Sequence, residues 1–427
     1  MNKTQQLSLF PDRAETTTTD LTSTFVGNMS LEIHRWFRYS AGFSGTWARE
    51  VIEQEGKRGK RHVLDPFAGS GTVLLESELV GSDSYGVEAH PFVARIAKTK
   101  LEWKSCSEQF GKHAKAVLEQ ARKRKGSVDD YPSLVQRCYE RDDLERMDTL
   151  RRAWLDMADG SSASELTWLA LISILRECSP VGTAQWQYIL PNKRKAKKLD
   201  PYDAFWARIC MMAEDMRTRQ KEAKGSNVNL IAGDARTCDG VPDGWADVII
   251  TSPPYVNNYD YADATRLEMS FMGEIAGWGD LQDKVRRFLV RSCTQHVAGI
   301  SFDDSAEPLL DPIRKELVGV VQQLEKERHN HGGKKPYHTM IGSYFSDMAN
   351  VWVALRRASA KGSTVCFVVG DSAPYGIYVP VDEWLGKLAV SAGFKSYSFE
   401  KTRERNTKWK NRKHRVPLHE GRLWIKG

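Results

Sequence analysis

Residues 61–81 read RHVLDPFAGSGTVLLESELVG. Arg61 to Phe67 is a short apolar run of strand character. Ala68-Gly69-Ser70-Gly71 is a tight glycine turn, and Thr72 to Val80 repeats apolar residues at helical spacing until Gly81 stops it. A second strand, Tyr85-Gly86-Val87-Glu88, ends in an acid, and Pro91 to Lys100 opens another helix. Strand, turn, helix and strand in this order make a βαβ unit, which requires a parallel sheet.

The pattern outward from this unit divides the chain. Residues 1–25 are polar and Thr-rich and read as a flexible tail. Residues 26–103 carry the βαβ unit, preceded by an element over Leu31 to Glu53 that is helical in its second half. Residues 104–225 are dominated by helical patterns and basic residues, and read as a helical insertion. Residues 226–400 resume the sheet, with strands at Val228 to Ala232, Asp247 to Thr251 and Thr364 to Val369. Helices are expected at Tyr344 to Arg357 and Val381 to Ala392, and a late strand begins at Gly393. Residues 401–427 form a basic C-terminal segment.

Composition bounds the function classes. The length of 427 residues suits a large domain with an insertion, or two domains. A formal charge of +7, clustered rather than even, favours an anionic partner such as nucleic acid. Seven scattered cysteines form no C-x-x-C pair, which argues against a zinc site or redox motif and suits a reducing compartment. No apolar run approaches the roughly 20 residues of a membrane span, and the N-terminus has no signal-peptide core. The sequence therefore reads as a soluble, cytoplasmic protein with no metal.

The glycine turn narrows the ligand. A turn between strand and helix lets backbone approach a ligand closely, beside unpaired helix N–H groups. A phosphate-binding P-loop needs a Lys after its last glycine, and Thr72 stands there. A dinucleotide fingerprint needs a third glycine where Leu74 stands. What remains is a nucleoside ligand without phosphates, S-adenosylmethionine. Asp65, Phe67, Ala68, Gly69, Ser70, Gly71 and Thr72 supply the turn and are expected to bind this cofactor. Glu88, at a strand end, suits the ribose hydroxyls, and Asp234, at another, suits the adenine amino group.

Thr251-Ser252-Pro253-Pro254-Tyr255 carries the second piece of chemistry. Two prolines fix two φ angles and remove two N–H donors, leaving rigid acceptors. An exocyclic amine attacking a methyl sulfonium needs acceptors that orient its lone pair. Tyr255 offers a flat face to an extruded base.

Both motifs resemble those of the amino-group DNA methyltransferases, which modify cytosine N4 or adenine N6. Residues 65–72 match that family's D-P-F-x-G-S-G-T, and Ser252, Pro253, Pro254 and Tyr255 match its [DNS]-P-P-[YFW] catalytic motif. His34 to Tyr39 with Phe43 is similar to the family's N-terminal element over the cofactor, which implies that Arg35 and Trp36 contact it. The resemblance covers roughly residues 30–100 and 228–400 and leaves the helical insertion outside. It implies an α/β, Rossmann-like, seven-stranded and mostly parallel sheet. It also implies base flipping, double-stranded DNA as substrate, and a restriction-modification or related defence context with a cognate endonuclease. Monomeric action is expected. Ser252 leans toward cytosine N4, with adenine N6 the alternative. Ring-carbon methylation is set aside, because it needs a nucleophilic Cys usually following Pro, and no Pro-Cys occurs.

Two rivals stand beside this reading. A tRNA guanine-N2 methyltransferase would share the fold and a similar loop, but the stretch before the first strand is short for its usual RNA-binding module. A catalytically dead nucleic-acid-binding protein would show a damaged turn or loop, and neither is damaged. For DNA contact the densest basic run offers Lys193, Arg194, Lys195, Lys197 and Lys198. Gln185, Trp186 and Gln187, the His331 to Lys335 loop, and the Arg403 to Arg415 segment with Trp409 are further candidates.

Overall fold

The computed structural model describes residues 25–183, 188–303, 307–405 and 416–427. Residues 1–24 of the expected tail, Gln185 to Gln187, and Trp409 lie outside the described residues, as does most of the Arg403 to Arg415 segment, whereas Phe25, the last residue of that tail, is buried in the core.

Among the described residues nine strands form: β1 (His62–Asp65), β2 (Asp83–Glu88), β3 (Val181–Thr183), β4 (Ile189–Arg194), β5 (Val228–Ala232), β6 (Ala246–Thr251), β7 (Ser359–Gly370), β8 (Ser396–Arg405) and β9 (Leu418–Lys426). Seven of them build one Rossmann-like sheet in the order β5-β2-β1-β6-β7-β9-β8. The pairs among β5, β2, β1, β6 and β7 are parallel, and β9 runs antiparallel to both β7 and β8. β3 and β4 make a separate antiparallel hairpin.

Side chains alternate across the strands, and each face has its own cover. Val63, Val248, Ile250, Cys366 and Val368 pack on the helix Gly45–Lys57 through Trp47, Ala48, Val51 and Ile52. Leu64, Ile249, Val365 and Phe367 point the other way, onto the helices Tyr337–Ala358 and Val381–Ser391. Trp352 stacks on Phe367 there at 4.4 Å. Between β2 and β5 the chain is mainly helical. The helices Ser107–Arg122, Arg141–Met157, Ser162–Cys178 and Pro201–Glu222 share one core with Trp36, Phe92 and Ile96.

Three differences from the sequence reading have physical reasons. The insertion holds the hairpin β3–β4, and the basic run begins on it. The last segment is a strand, β9, whose Leu423 and Ile425 are fully buried between the charged residues that dominate its sequence. The sequence over 263–330 also reads as mainly helical, but the described residues between 273 and 313 are mostly irregular, apart from the single turn Leu281–Lys284 and short 3-10 turns.

The topology positions the site. From β1 the chain moves outward through β2 to β5, then returns to β6 beside β1 and continues to β7. The switch in direction lies between β1 and β6, and a crevice opens there at the carboxyl ends of the strands. The loops that leave these two ends are Pro66–Gly71 and Ser252–Tyr255.

Candidate functional site

Gly69 (φ 52°) and Gly71 (φ 89°) both adopt left-handed backbone, which side chains larger than hydrogen rarely take. A Cβ at Gly69 would lie 3.3 Å from the Tyr39 ring, so the turn is also closed to bulk. Gly71 caps the helix Thr72–Val80.

Glu88 ends β2 and turns back to this loop. Its carboxylate accepts the Gly69 N–H at 2.7 Å and the His90 N–H at 2.8 Å. Burial pushes it up to about 7, against the pull of these backbone donors. Asp65 is likewise pushed up to about 7 by burial. Its Oδ1 accepts from Thr251 Oγ1 at 2.6 Å and from the Phe67 N–H at 3.0 Å. Asp65 therefore ties the tip of β1 to the tip of β6 and lies beneath the turn.

A cavity of about 760 Å³ opens over this floor. Phe67, Ala68, Gly69, Ser70, Thr72 and Glu88 line it from one side, and Asp234, Ser252 and Pro254 from the other. Both sequence motifs thus face one space, which is partly open to solvent. Asp234 is not a bare acid, because Arg236 donates to it from its backbone N–H at 2.8 Å and from its guanidinium.

Ser252 follows β6, and its hydroxyl donates to Val368 O on β7 at 3.2 Å. Pro253 is buried, and the Tyr255 N–H donates to Tyr261 Oη at 3.0 Å. The Tyr255 ring is half-buried and does not line the cavity, whereas Tyr261 does. Asp260 anchors this loop: its carboxylate accepts from Arg286 Nη2 at 2.7 Å and from the Ala262 N–H at 3.2 Å.

The N-terminal element reaches the cavity through Tyr39, Ala41, Gly42 and Phe43. Arg35 and Trp36, expected to touch the cofactor, do not reach it. Arg35 Nε and Trp36 Nε1 both donate to Asp215 Oδ2 at 3.0 Å. Asp215 is buried on the helix Pro201–Glu222, and a buried carboxylate demands such donors, so these two side chains turn away from the cavity. Lys100, buried and pushed down to about 7 by desolvation, donates to His34 O at 3.1 Å and holds the same element from below.

The basic run divides into two groups. Lys195 Nζ donates to Arg176 O at 2.6 Å, at the end of the helix Ser162–Cys178, and Lys198 pairs with Glu140 and Asp143. Lys193, Arg194 and Lys197 are exposed. In the His331 to Lys335 loop, His331 stacks on Tyr375 at 4.3 Å.

Sequence reasoning did not single out Tyr261, His90, or the Phe288–Val290 segment of the wall. Tyr261 had a signal, since aromatic residues recur at 255, 259 and 261 after the two prolines. Phe288 to Val290 had none, because they come from an irregular segment brought over by tertiary contacts alone.

No family model matches the chain. Over 419 residues it is 24% identical to the type II methyltransferase M.BsoBI of Geobacillus stearothermophilus, an alignment covering 87% of this chain and 80% of that protein. Over 411 residues it is 25% identical to the type II methyltransferase M.AvaI of Nostoc sp., with the same coverage of 87% and 80%. The M.AvaI of Anabaena variabilis matches equally, at 25% over 411 residues.

Proposed function

We propose that this chain is an S-adenosylmethionine-dependent DNA methyltransferase of the restriction-modification kind, acting on the exocyclic amino group of a base, cytosine N4 in preference to adenine N6. The observation that carries the reading is the single cavity lined both by the glycine turn with Glu88 and by Ser252 and Pro254. The similarity to type II methyltransferases over 87% of the chain supports the same class. A restriction endonuclease of the same specificity is the partner this class implies.

The residues fit the cofactor. Glu88 presents a carboxylate to the cavity for ribose hydroxyls. The turn has glycine where close approach is needed and no lysine for phosphate. Asp234 and the walls from Phe67 and Phe288 suit an adenine ring, and Tyr39 to Phe43 cover the methionine side.

When bound, S-adenosylmethionine supplies an electrophilic methyl group on a sulfonium. The chain's own residues prepare the nucleophile. Ser252 uses its one proton on Val368 O, so its remaining lone pairs accept from the target amine. Pro253 and Pro254 bring no N–H that would compete for the amine's lone pair. Held this way by Ser252 and the two prolines, the nitrogen lone pair would be free to take the methyl group that the bound cofactor would supply. The surplus amine proton leaves through the same acceptors to solvent. Tyr255 and Tyr261 supply aromatic faces for the extruded base.

Mass spectrometry of nucleosides from DNA of cells expressing the protein tests the reading, beside a Ser252→Ala, Tyr255→Ala control. N4-methylcytosine in the wild type alone is expected. N6-methyladenine would move the base and keep the mechanism. Unmodified DNA with modified tRNA would overturn the DNA assignment.

A further inference from the structure

Arg405 ends β8, and its guanidinium lies over the Tyr255 ring, 5.4 Å from the centroid. Nη1 donates to Asp371 O at 2.8 Å, and the group packs so closely on Gly370 that a Cβ there would come within 2.6 Å of it. The nearby acids pair with other cations, although Asp371 Oδ1 itself is buried with no hydrogen-bond partner among the described residues. The Asp371 carboxylate meets His419 Nδ1 at 2.7 Å, and Glu420 binds Arg403 at 2.8 Å. Among the described residues no carboxylate forms an ion pair with Arg405. Among the described residues this half-buried cation thus rests on an aromatic face with one carbonyl as its hydrogen-bond partner.

A guanidinium is planar and stacks on aromatic rings much as a base does. Resting on the methyltransferase reading above, the Tyr255 face is also where the extruded base belongs, and two flat groups cannot share it. We propose that Arg405 fills the base position in the DNA-free protein and, when the target nucleotide enters, leaves the ring to bind a phosphate flanking it. The nucleotide brings the anion that the protein does not provide, and arginine takes phosphate in bidentate fashion. Arg405 then couples two events: the slot opens only as the displaced charge finds the backbone of the nucleotide that fills it.

The test uses the full chain and a duplex carrying the target site, identified by sequencing a genome the protein has modified. Duplex affinity is measured from about 50 to 200 mM salt for the wild type, Arg405→Gln and Arg405→Lys, with cofactor affinity measured alongside. Loss of one phosphate contact makes the log–log salt slope of Arg405→Gln shallower by about 0.9. Arg405→Lys keeps the slope, cofactor affinity stays within error for both variants, and single-turnover methylation by Arg405→Gln falls about tenfold or more. An unchanged slope in Arg405→Gln with cofactor binding intact overturns the exchange. So does a crystal structure of the complex with the guanidinium still over Tyr255. A wild type that binds cofactor and modifies DNA while Arg405→Gln keeps its slope condemns the exchange alone. A wild type that does neither condemns the underlying reading as well.

Discussion

The Glu88 carboxylate accepts the Gly69 amide at 2.7 Å, so the acid at the end of β2 and the glycine turn at the end of β1 are one unit. A ligand hydroxyl that donates to Glu88 joins a group already oriented by backbone.

The raised pKa of Glu88 gives this unit a pH signature. Its ordinary value of 4.5 rises to about 7 in the fold, so the folded state holds the proton more tightly than the unfolded chain. Its contribution to stability therefore falls as pH rises from about 4.5 through about 7, and Glu88→Gln removes that contribution while leaving the one from Asp65, which is also raised to about 7. Cofactor binding has the opposite slope, because donated hydroxyls favour the ionised acid. Calorimetry should find affinity roughly tenfold weaker at pH 6 than at pH 8. Glu88→Gln should bind weakly with a flat profile, and a wild-type affinity constant across this range would refute the assignment.

Asp65 should behave as a tie rather than a ligand. Asp65→Ala strands the Phe67 N–H and the buried Thr251 hydroxyl, costing about 1–3 kcal/mol of stability. Thr251→Val should cost less, and the double variant should cost less than the sum. Additive losses in denaturant melts would show that the two do not act together.

Ser252→Ala should leave cofactor affinity intact and depress single-turnover methylation, since it removes an acceptor that acts on the amine alone. Tyr255→Ala should weaken binding of the extruded base by about 1–3 kcal/mol, and Tyr255→Phe by much less. Equal duplex affinity in all three proteins would remove Tyr255 from the stacking role.

The basic run should separate by partner. Lys197→Gln should make the salt slope of duplex binding shallower by about 0.9 if its ammonium meets a phosphate. Lys198→Gln should leave the slope alone and lower the melting temperature, because Lys198 binds Glu140 and Asp143. The reverse assignment of effects would mean that the helical layer repacks on DNA.

The parts of the fold that were legible in the sequence were those written in local pattern. β1 with its glycine turn, β2 ending in Glu88, and β6 running into Ser252 each combine a short apolar run with a punctuating residue. The illegible parts depend on distant partners. β9 shows Leu423 and Ile425 at strand spacing, but Arg422 and Lys426 beside them read as a solvated tail until β7 and β8 flank the strand. Arg35 and Trp36 stand in the right element, yet Asp215, some 180 residues on, decides where they point. Asp65 sits in the motif, but only the register of β1 against β6 reveals that it bonds sideways to Thr251.

The insertion of β9 between β7 and β8 makes the edge of the sheet depend on one strand. Among the described residues β8 has no neighbour in the sheet except β9. β8 and β9 are antiparallel and adjacent in the chain, and β9 alone joins β8 to β7. Arg405 travels with β8, so its place over Tyr255 is set by the β8–β9 pairing rather than by β1 and β6, where the cavity lies. Loosening this edge of the sheet would therefore bare the aromatic face while leaving the floor of the nucleoside pocket in place.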